Sequence, residues 1–341
     1  MMKRNTPKIS LYLFYCLIAC CSFACGAEKP TVVVYASRDQ LYAEPIFSEF
    51  ERATGVRVQA VYDTGSTKTA GLTNRLLAEK DHPQADVYWN TEVVRTIVLK
   101  HSGVLASYQS PNAQGIPARY KDPEGYWTGF GARARVFIYN TQLLKASEVP
   151  KSIFELTQPQ WRGKFVIGNP VLGTMAAHHT ALFAILGDES ARVFFRALAD
   201  NQVRIVVGNT AVRDEVSQGE VPLGITDTSD VYEAIADGKP VAMSFPDQDG
   251  IGTLVIPNTI ALIANSPHPE QARRFIDFML RPETERILSE SRSAQMPLHQ
   301  GVVPAPNVRP VTEIVASDVD FEQIAQRLDE VCAFLTDLFI R

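Results

Sequence analysis

Nine consecutive residues late in the chain gather side chains that could hold a charged molecule: Gly224, Ile225, Thr226, Asp227, Thr228, Ser229, Asp230, Val231 and Tyr232. Their carboxylates and hydroxyls stand where an apolar run, Val221 to Ile225, gives way to a helical pattern from Val231 to Ala236 closed by Gly238 and Pro240. A strand end that empties onto a helix N-terminus gathers free backbone N–H groups, and open α/β sheets hold ligands there. The same residues could serve the helix alone, because Asp230 and Glu233 have the spacing of a capping box. Other polar clusters repeat the arrangement. Ser37, Ser66, Thr67 and Thr174 are hydroxyls at expected helix N-termini, suited to phosphate or phosphonate, and Arg38 or Arg133 could add a bidentate contact. Asp227, Asp230 and Glu92 would repel an anion unless the molecule also carried an amine or several hydroxyls. A small zwitterion such as an aminophosphonate, or a sugar phosphate, would use both sets.

The elements that must position these groups alternate. Thr31 to Tyr35 is a β-branched strand, followed by Ser37, Arg38 and Asp39 and a helix through Ile46, Phe47 and Phe50 to a C-cap at Gly55. Val56 to Val61 is the next strand, leading through Asp63 to Thr67 into a helix with Leu72, Leu76 and Leu77 on one face. Ala85 to Trp89 ends in Asn90, Thr91 and Glu92 before a helix that closes at Gly103. This succession is a doubly wound α/β unit with a polar rim at its strand C-termini. Arg133 to Tyr139 then leaves it for a second unit, with strands at 164–167, 203–207 and 221–225 and helices from Gly173, over 189–199 and near 211–217. Gly252 to Ile263 carries the chain back, ahead of helices over 266–288 and 321–339. The expected fold class is α/β, two doubly wound lobes joined by a two-crossing hinge. Lobe 1 comprises 28–132 and 256–341, lobe 2 comprises 133–255, and the cleft lies between them.

Residues 1–27 are set apart. Lys3, Arg4 and Lys8 precede an apolar run from Ile9 to Ala19 that is short for a membrane span, the build of a secretory signal peptide. Small residues before Cys20, and again before Cys25, suggest a lipoprotein leader with Cys20 as the lipidated residue and Cys25 as the alternative; ordinary cleavage near Ala27 would release a free protein. Only Cys332 of the five cysteines lies beyond the leader, which excludes a disulfide framework and cysteine metal sites, and its apolar neighbours suggest an inert thiol. Removing three basic residues from the chain's 33, against 38 acidic ones, leaves a body of net charge about −8, with no basic block for nucleic acid. His82, His101, His178, His179, His268 and His299 fall in no hydrolase or zincin motif. His178 and His179 are adjacent on a helix and point about 100° apart, so they cannot grip one metal together. Trp89, Trp127 and Trp161 are assigned to the core.

Several strings resemble the ferric-iron-binding proteins of bacterial ABC importers across nearly the whole mature chain. They include Tyr35-Ala36-Ser37-Arg38-Asp39, Ala85 to Glu92, Arg133-Ala134-Arg135-Val136, Pro159 to Lys164, Gly173-Thr174, Ile256-Pro257-Asn258-Thr259 and Pro267 to Phe278. The resemblance implies a periplasmic two-lobe binding protein, monomeric and without catalysis or an obligatory cofactor, that closes on a small solute and delivers it to an inner-membrane permease. A ligand-sensing module for a membrane receptor would use the same lobes. The transported ligand implied is Fe³⁺, held in those proteins by an adjacent tyrosine pair at the strand end corresponding to 221–225, with help from the first and third loops. Here Tyr232 stands alone, the first loop has no histidine, and only Glu92 matches. An iron site would therefore draw on Glu92, Asp227, Asp230 and Tyr232, hard oxygen donors in which carboxylates replace the phenolate pair.

Overall fold

A computed structural model describes residues 29–63 and 70–340; the leader with Cys20 and Cys25, and the hydroxyls of Ser66 and Thr67, lie outside the described residues. In lobe 1, β1 (Thr31–Ala36) pairs in parallel with β2 (Arg57–Tyr62) on one side and β3 (Val87–Asn90) on the other. Helices α1 (Gln40–Thr54), α2 (Ala70–Ala78) and α3 (Val94–His101) follow these strands in turn. Gly55 ends α1 with a left-handed φ of 72° and donates its N–H to the Glu51 carbonyl, the conformation glycine reaches without a Cβ clash. The apolar face of α1 carries Phe47 and Phe50 onto Phe275, with Trp89 against Phe47. Fully burying each such ring contributes about 1.5–3 kcal/mol.

The long strand β5 (Thr128–Asn140), buried along its whole length, joins the two halves of the sheet. Residues 128–134 pair antiparallel with β10 (Val255–Ile263), which also borders β3 and the short β4 (Leu105–Ala106). Residues 135–139 pair with β8 (Leu223–Asp227), beyond which lie β6 (Phe165–Gly168) and β7 (Arg204–Val206) in parallel, while β9 (Val241–Ser244) pairs with the end of β5. The strand order is β2-β1-β3-β10-β5-β8-β6-β7. Lobe 2 adds helices α4 (Gly173–Leu186), α5 (Asp188–Asp200), α6 (Asn209–Gln218) and α7 (Thr228–Ala236). The chain then returns through β10 to α8 (Pro269–Met279), α9 (Pro282–Glu290) and finally α10 (Phe321–Phe339). Phe321, Ile324 and Leu328 of α10 pack with Val94 and Ile97 of α3, whereas Val331 and Leu335 pack with Phe183 and Phe195 of lobe 2.

Three of the differences from the sequence reading bear on how the site is positioned. β5 starts five residues before Arg133 because Gly129 and Gly131 belong to it. A Cβ at Gly129 would meet the Tyr120 carbonyl oxygen at 2.7 Å, and Gly131 has φ 55°, so close backbone approach takes the place of strand-forming side chains. The helix expected over 266–288 is two, broken ahead of Pro282, which lacks an N–H and restricts the residue before it. β8 runs on to Asp227 instead of ending at Ile225, because Thr226 and Asp227 still pair with Val136 and Arg135. That shift brings Asp227 onto the sheet opposite an arginine.

Candidate functional site

A cavity of about 460 Å³ opens at the C-terminal ends of these strands. Three of its walls are helix starts: Gly173 to Met175 of α4, Asn209 to Ala211 of α6, and Ser229 and Asp230 of α7. None of these helices has a side-chain hydrogen bond capping its N-terminus. Their first-turn N–H groups and positive dipole ends are therefore not neutralised by a cap, and they converge on one space.

Asp227 ties this wall together. It is 1 % exposed and accepts from Arg135 Nη1 at 2.6 Å, Thr174 Oγ1 at 2.9 Å and Asn209 Nδ2 at 3.0 Å, with Arg133 Nη1 at 3.4 Å. Burial raises its carboxyl, but the charges of Arg135 and Arg133 and the bonds from Arg135 and Thr174 outweigh that and hold it below the usual carboxylate range. Arg135 Nη1 also reaches Thr174 Oγ1 at 3.2 Å and Asn209 Oδ1 at 3.3 Å. The starts of α4 and α6 are thus fixed to β5 and β8 through one buried ion pair.

Basic groups exceed what Asp227 can balance. Arg38, from the loop after β1, lines the cavity at 5 % exposure; its Nε has no hydrogen-bond partner, and its guanidinium lies 4.6 Å over the Tyr42 ring. Burial, then the nearby charge of Arg133, lower its pKa to about 10. Arg133 lines the same space and donates to the Thr91 carbonyl in lobe 1 while facing Asp227 in lobe 2. Acidic groups line the cavity too, Asp39 beside Arg38 and Asp230 and Glu233 on α7. Asp230 accepts from Thr226 Oγ1 at 3.0 Å; burial, then the charges of Asp227 and Glu233, raise its carboxyl to about 6. Glu233 binds Arg213 Nη1 at 2.8 Å and the Tyr42 hydroxyl at 2.5 Å.

Of the residues singled out from sequence, Arg38, Arg133, Thr174, Asp227 and Asp230 come together around this cavity. Three others have different partners and do not line it. Ser37 donates to Asn90 Oδ1 at 2.8 Å and accepts the Thr91 N–H, stitching β1 to β3. Glu92 accepts from the Val94 and Arg95 amides at 2.6 and 3.1 Å, closing the start of α3; burial raises its carboxyl, with the Arg95 charge and these bonds opposing. Tyr232 packs in the core and accepts the Arg309 N–H at 3.1 Å, because it sits about 100° around α7 from Glu233. Glu92, Asp227, Asp230 and Tyr232 are therefore not assembled into one ligand set. Among the described residues there is no group of three or more His, Cys, Asp and Glu side chains placed to hold a metal ion. Asp230 and Glu233 do not make the capping box their spacing allows; α7 begins at Thr228, with Asp227 as its N-cap. His178 and His179 are buried outside the cavity and kept neutral, His179 near a pKa of 3, by burial and then the charge of Arg135. Cys332 is half-buried, and burial pushes its thiol up to about 11.

Sequence reasoning missed Arg135, Asn209, Glu233 and Tyr42. Arg135 had a signal, a second charge on the face of an otherwise apolar strand, and so did Asn209, which follows a strand and Gly208 in the pattern used elsewhere.

The fold and cavity define a class: a two-lobe α/β protein with a polar, ligand-sized cleft at its strand ends. The chain belongs to the bacterial extracellular solute-binding proteins, whose family profile matches residues 46–321. It is 26 % identical over 316 residues to iron uptake protein A1 of Synechocystis sp., spanning 89 % of this chain and 84 % of that protein. Iron-bound HitA from Pseudomonas aeruginosa superposes with a TM-score of 0.81 at 24 % identity, covering 90 % of this chain and 99 % of that one. The periplasmic binding protein AfuA from Actinobacillus pleuropneumoniae, with fructose-6-phosphate bound, gives 0.80 at 22 %, covering 91 % and 98 %. These solved structures share the two-lobe fold.

Proposed function

We propose that the cleft takes a small organic solute bearing a phosphate or phosphonate group and an amine or hydroxyls at its other end. The observation that carries this reading is Arg38, nearly buried with its Nε unpartnered, lining one cavity with three uncapped helix starts. An anion there relieves the mutual repulsion of Arg38 and Arg133 and receives first-turn N–H groups. Asp230 and Glu233 suit an amine or hydroxyls better than a second anionic group. The protein binds and releases this solute unchanged, as a monomer, and delivers it to the permease of an ABC importer. The lobes are 28–132 with 256–341 and 133–255, and they hinge where β5 passes from β10 to β8 and where the chain returns at the start of β10. A lipid on Cys20, or alternatively Cys25, tethers the mature chain outside the cytoplasmic membrane; a palmitate analogue should label the wild type and not Cys20→Ser.

A second reading, ferric iron, is favoured by the name of the Synechocystis relative and by the iron in HitA. The lining sets Arg38 and Arg133 beside Asp39, Asp227, Asp230 and Glu233, and this mixed charge suits iron that arrives with an anionic chelator, whose charge the two arginines would meet. Native mass spectrometry and metal analysis of protein purified without refolding discriminate the two. A bound organic mass of about 100–300 Da, of the size such clefts enclose, and no stoichiometric iron is expected. Stoichiometric iron overturns the first reading in favour of the second.

A further inference from the structure

We propose that Tyr42 is a positioning residue of the cleft, steadying Arg38 toward the cavity with its ring and fastening the lobes across the mouth with its hydroxyl. Tyr42 lies in the first turn of α1, on lobe 1, and does not itself line the cavity. Its ring carries the Arg38 guanidinium at 4.6 Å, a cation–π contact that gives direction to a side chain whose Nε has no hydrogen-bond partner. Its hydroxyl donates to Glu233 Oε1 at 2.5 Å, on α7 of lobe 2 and 191 residues away in sequence. Glu233 is held from its other side by Arg213 Nη1 at 2.8 Å. Burial, then the bond to Glu233, push the Tyr42 phenol above its usual range, so it remains a donor at neutral pH.

Other contacts also join the lobes, but they differ in place. Arg292 pairs with Asp237 at the exposed surface, and the Arg309 N–H reaches the Tyr232 hydroxyl in the core. Tyr42 alone among these touches a cavity-lining side chain on both lobes, Arg38 on its own and Glu233 opposite. A hydrogen bond to a carboxylate is among the stronger kinds, and this one exists only with the lobes together. It therefore favours the closed state and slows release, without entering the encounter step.

The inference rests on the proposed closure of the cleft around an anionic solute, and the test separates the two. Tyr42→Phe keeps the ring and removes the hydroxyl; Tyr42→Leu removes both. The probe is 2-aminoethylphosphonate, followed by stopped-flow tryptophan fluorescence, alongside small-angle scattering with and without it. Tyr42→Phe should release the probe about ten- to a hundredfold faster, the range for one hydrogen bond to a charged group, with association unchanged and a larger radius of gyration. Tyr42→Leu should in addition weaken binding beyond Tyr42→Phe, because Arg38 loses its support. Wild-type release and radius of gyration in Tyr42→Phe overturn the fastening role; equal affinities for the two variants overturn the support of Arg38. A wild type that binds neither this probe nor a sugar phosphate in the same assay overturns the anion reading by itself. Scattering of the solute-free proteins then decides the fastening: a larger radius in Tyr42→Phe supports it, and an unchanged one overturns it.

Discussion

The two walls of the cleft differ in how they are held together. On lobe 2, three helices begin at the cavity without side-chain caps, and one buried carboxylate, Asp227, fastens two of their first turns to the sheet. On lobe 1, α3 begins near the cleft but its first amides are closed by Glu92, and Ser37 is taken up between β1 and β3. Lobe 1 also brings the start of α1, whose N-cap Asp39 lines the cavity without a side-chain cap hydrogen bond, and beside it Arg38, resting on an aromatic ring. In the proposed site, lobe 2 presents three helix starts of which two are fixed to the sheet, and lobe 1 adds the charge of Arg38. Pre-organisation lowers the ordering cost of binding, so on the proposed reading a solute would meet lobe 2 first and lobe 1 would complete the site.

The contrast is most exposed to attack at Asp227. Replacing it by Ala leaves Arg135 fully buried without its counter-ion, and breaking a buried pair on one side costs about 3–5 kcal/mol. Thermal and urea denaturation of Asp227→Ala should register a loss of that order, together with loss of solute binding. A variant as stable as the wild type would mean that the lobe 2 wall does not depend on this ion pair.

Asp230 tests the same wall by pH. Its folded pKa, about 6, lies above the ordinary value of 3.8. An acid raised in this way is neutral in both states below about pH 4 and costs nothing there. As pH rises toward and past 6, the native state must carry a charge it disfavours, and stability is lost, by up to about 3 kcal/mol at 1.36 kcal/mol per unit. Asp230→Asn should match the wild type at pH 4 and exceed it at pH 7.5 in urea unfolding. Equal stability at both pH values would remove Asp230 from the electrostatic account of the cavity.

For lobe 1 the expectation has the reverse character, in binding and not in folding. Arg38→Gln removes a buried charge that the folded state disfavours, so the protein should be no less stable. It should bind 2-aminoethylphosphonate about ten- to a hundredfold more weakly in calorimetry, the loss of one charge-assisted contact. Undiminished affinity would place the anion elsewhere in the cleft.

The strand–helix alternation and the polar strand ends were legible in the sequence because each is a local pattern: β-branched runs, then small polar residues, then a 3.6-residue period. Arg38, Arg133, Thr174, Asp227 and Asp230 could be named for the same reason. The role of Asp227 could not, since it depends on its register with Arg135 across β5 and β8, 92 residues apart. Tyr232 looked available only because spacing along a helix does not say which face meets the cleft until the helix is packed. The start of β5 was hidden by Gly129 and Gly131, which belong to that strand through close backbone approach and not through strand propensity.

Glu92 gives the smallest effect and the cleanest discrimination between the walls. As a cap, its carboxylate bonds the Val94 and Arg95 amides, and Glu92→Gln keeps one oxygen for that task while giving up the charge. Losing a cap costs about 1 kcal/mol, and here the loss is partly offset because burial already disfavours the charged form. Melting temperature should therefore fall slightly and solute affinity should stay as it is. A hard-cation site that used Glu92 would respond the other way, with folding nearly intact and affinity for the metal falling about tenfold or more, the loss of a charged donor. Calorimetry of Glu92→Gln with 2-aminoethylphosphonate and with ferric citrate, beside a thermal melt, reads both. A selective loss of ferric citrate binding would bring Glu92 back to the cleft as a metal ligand and make lobe 1 more than the completing wall.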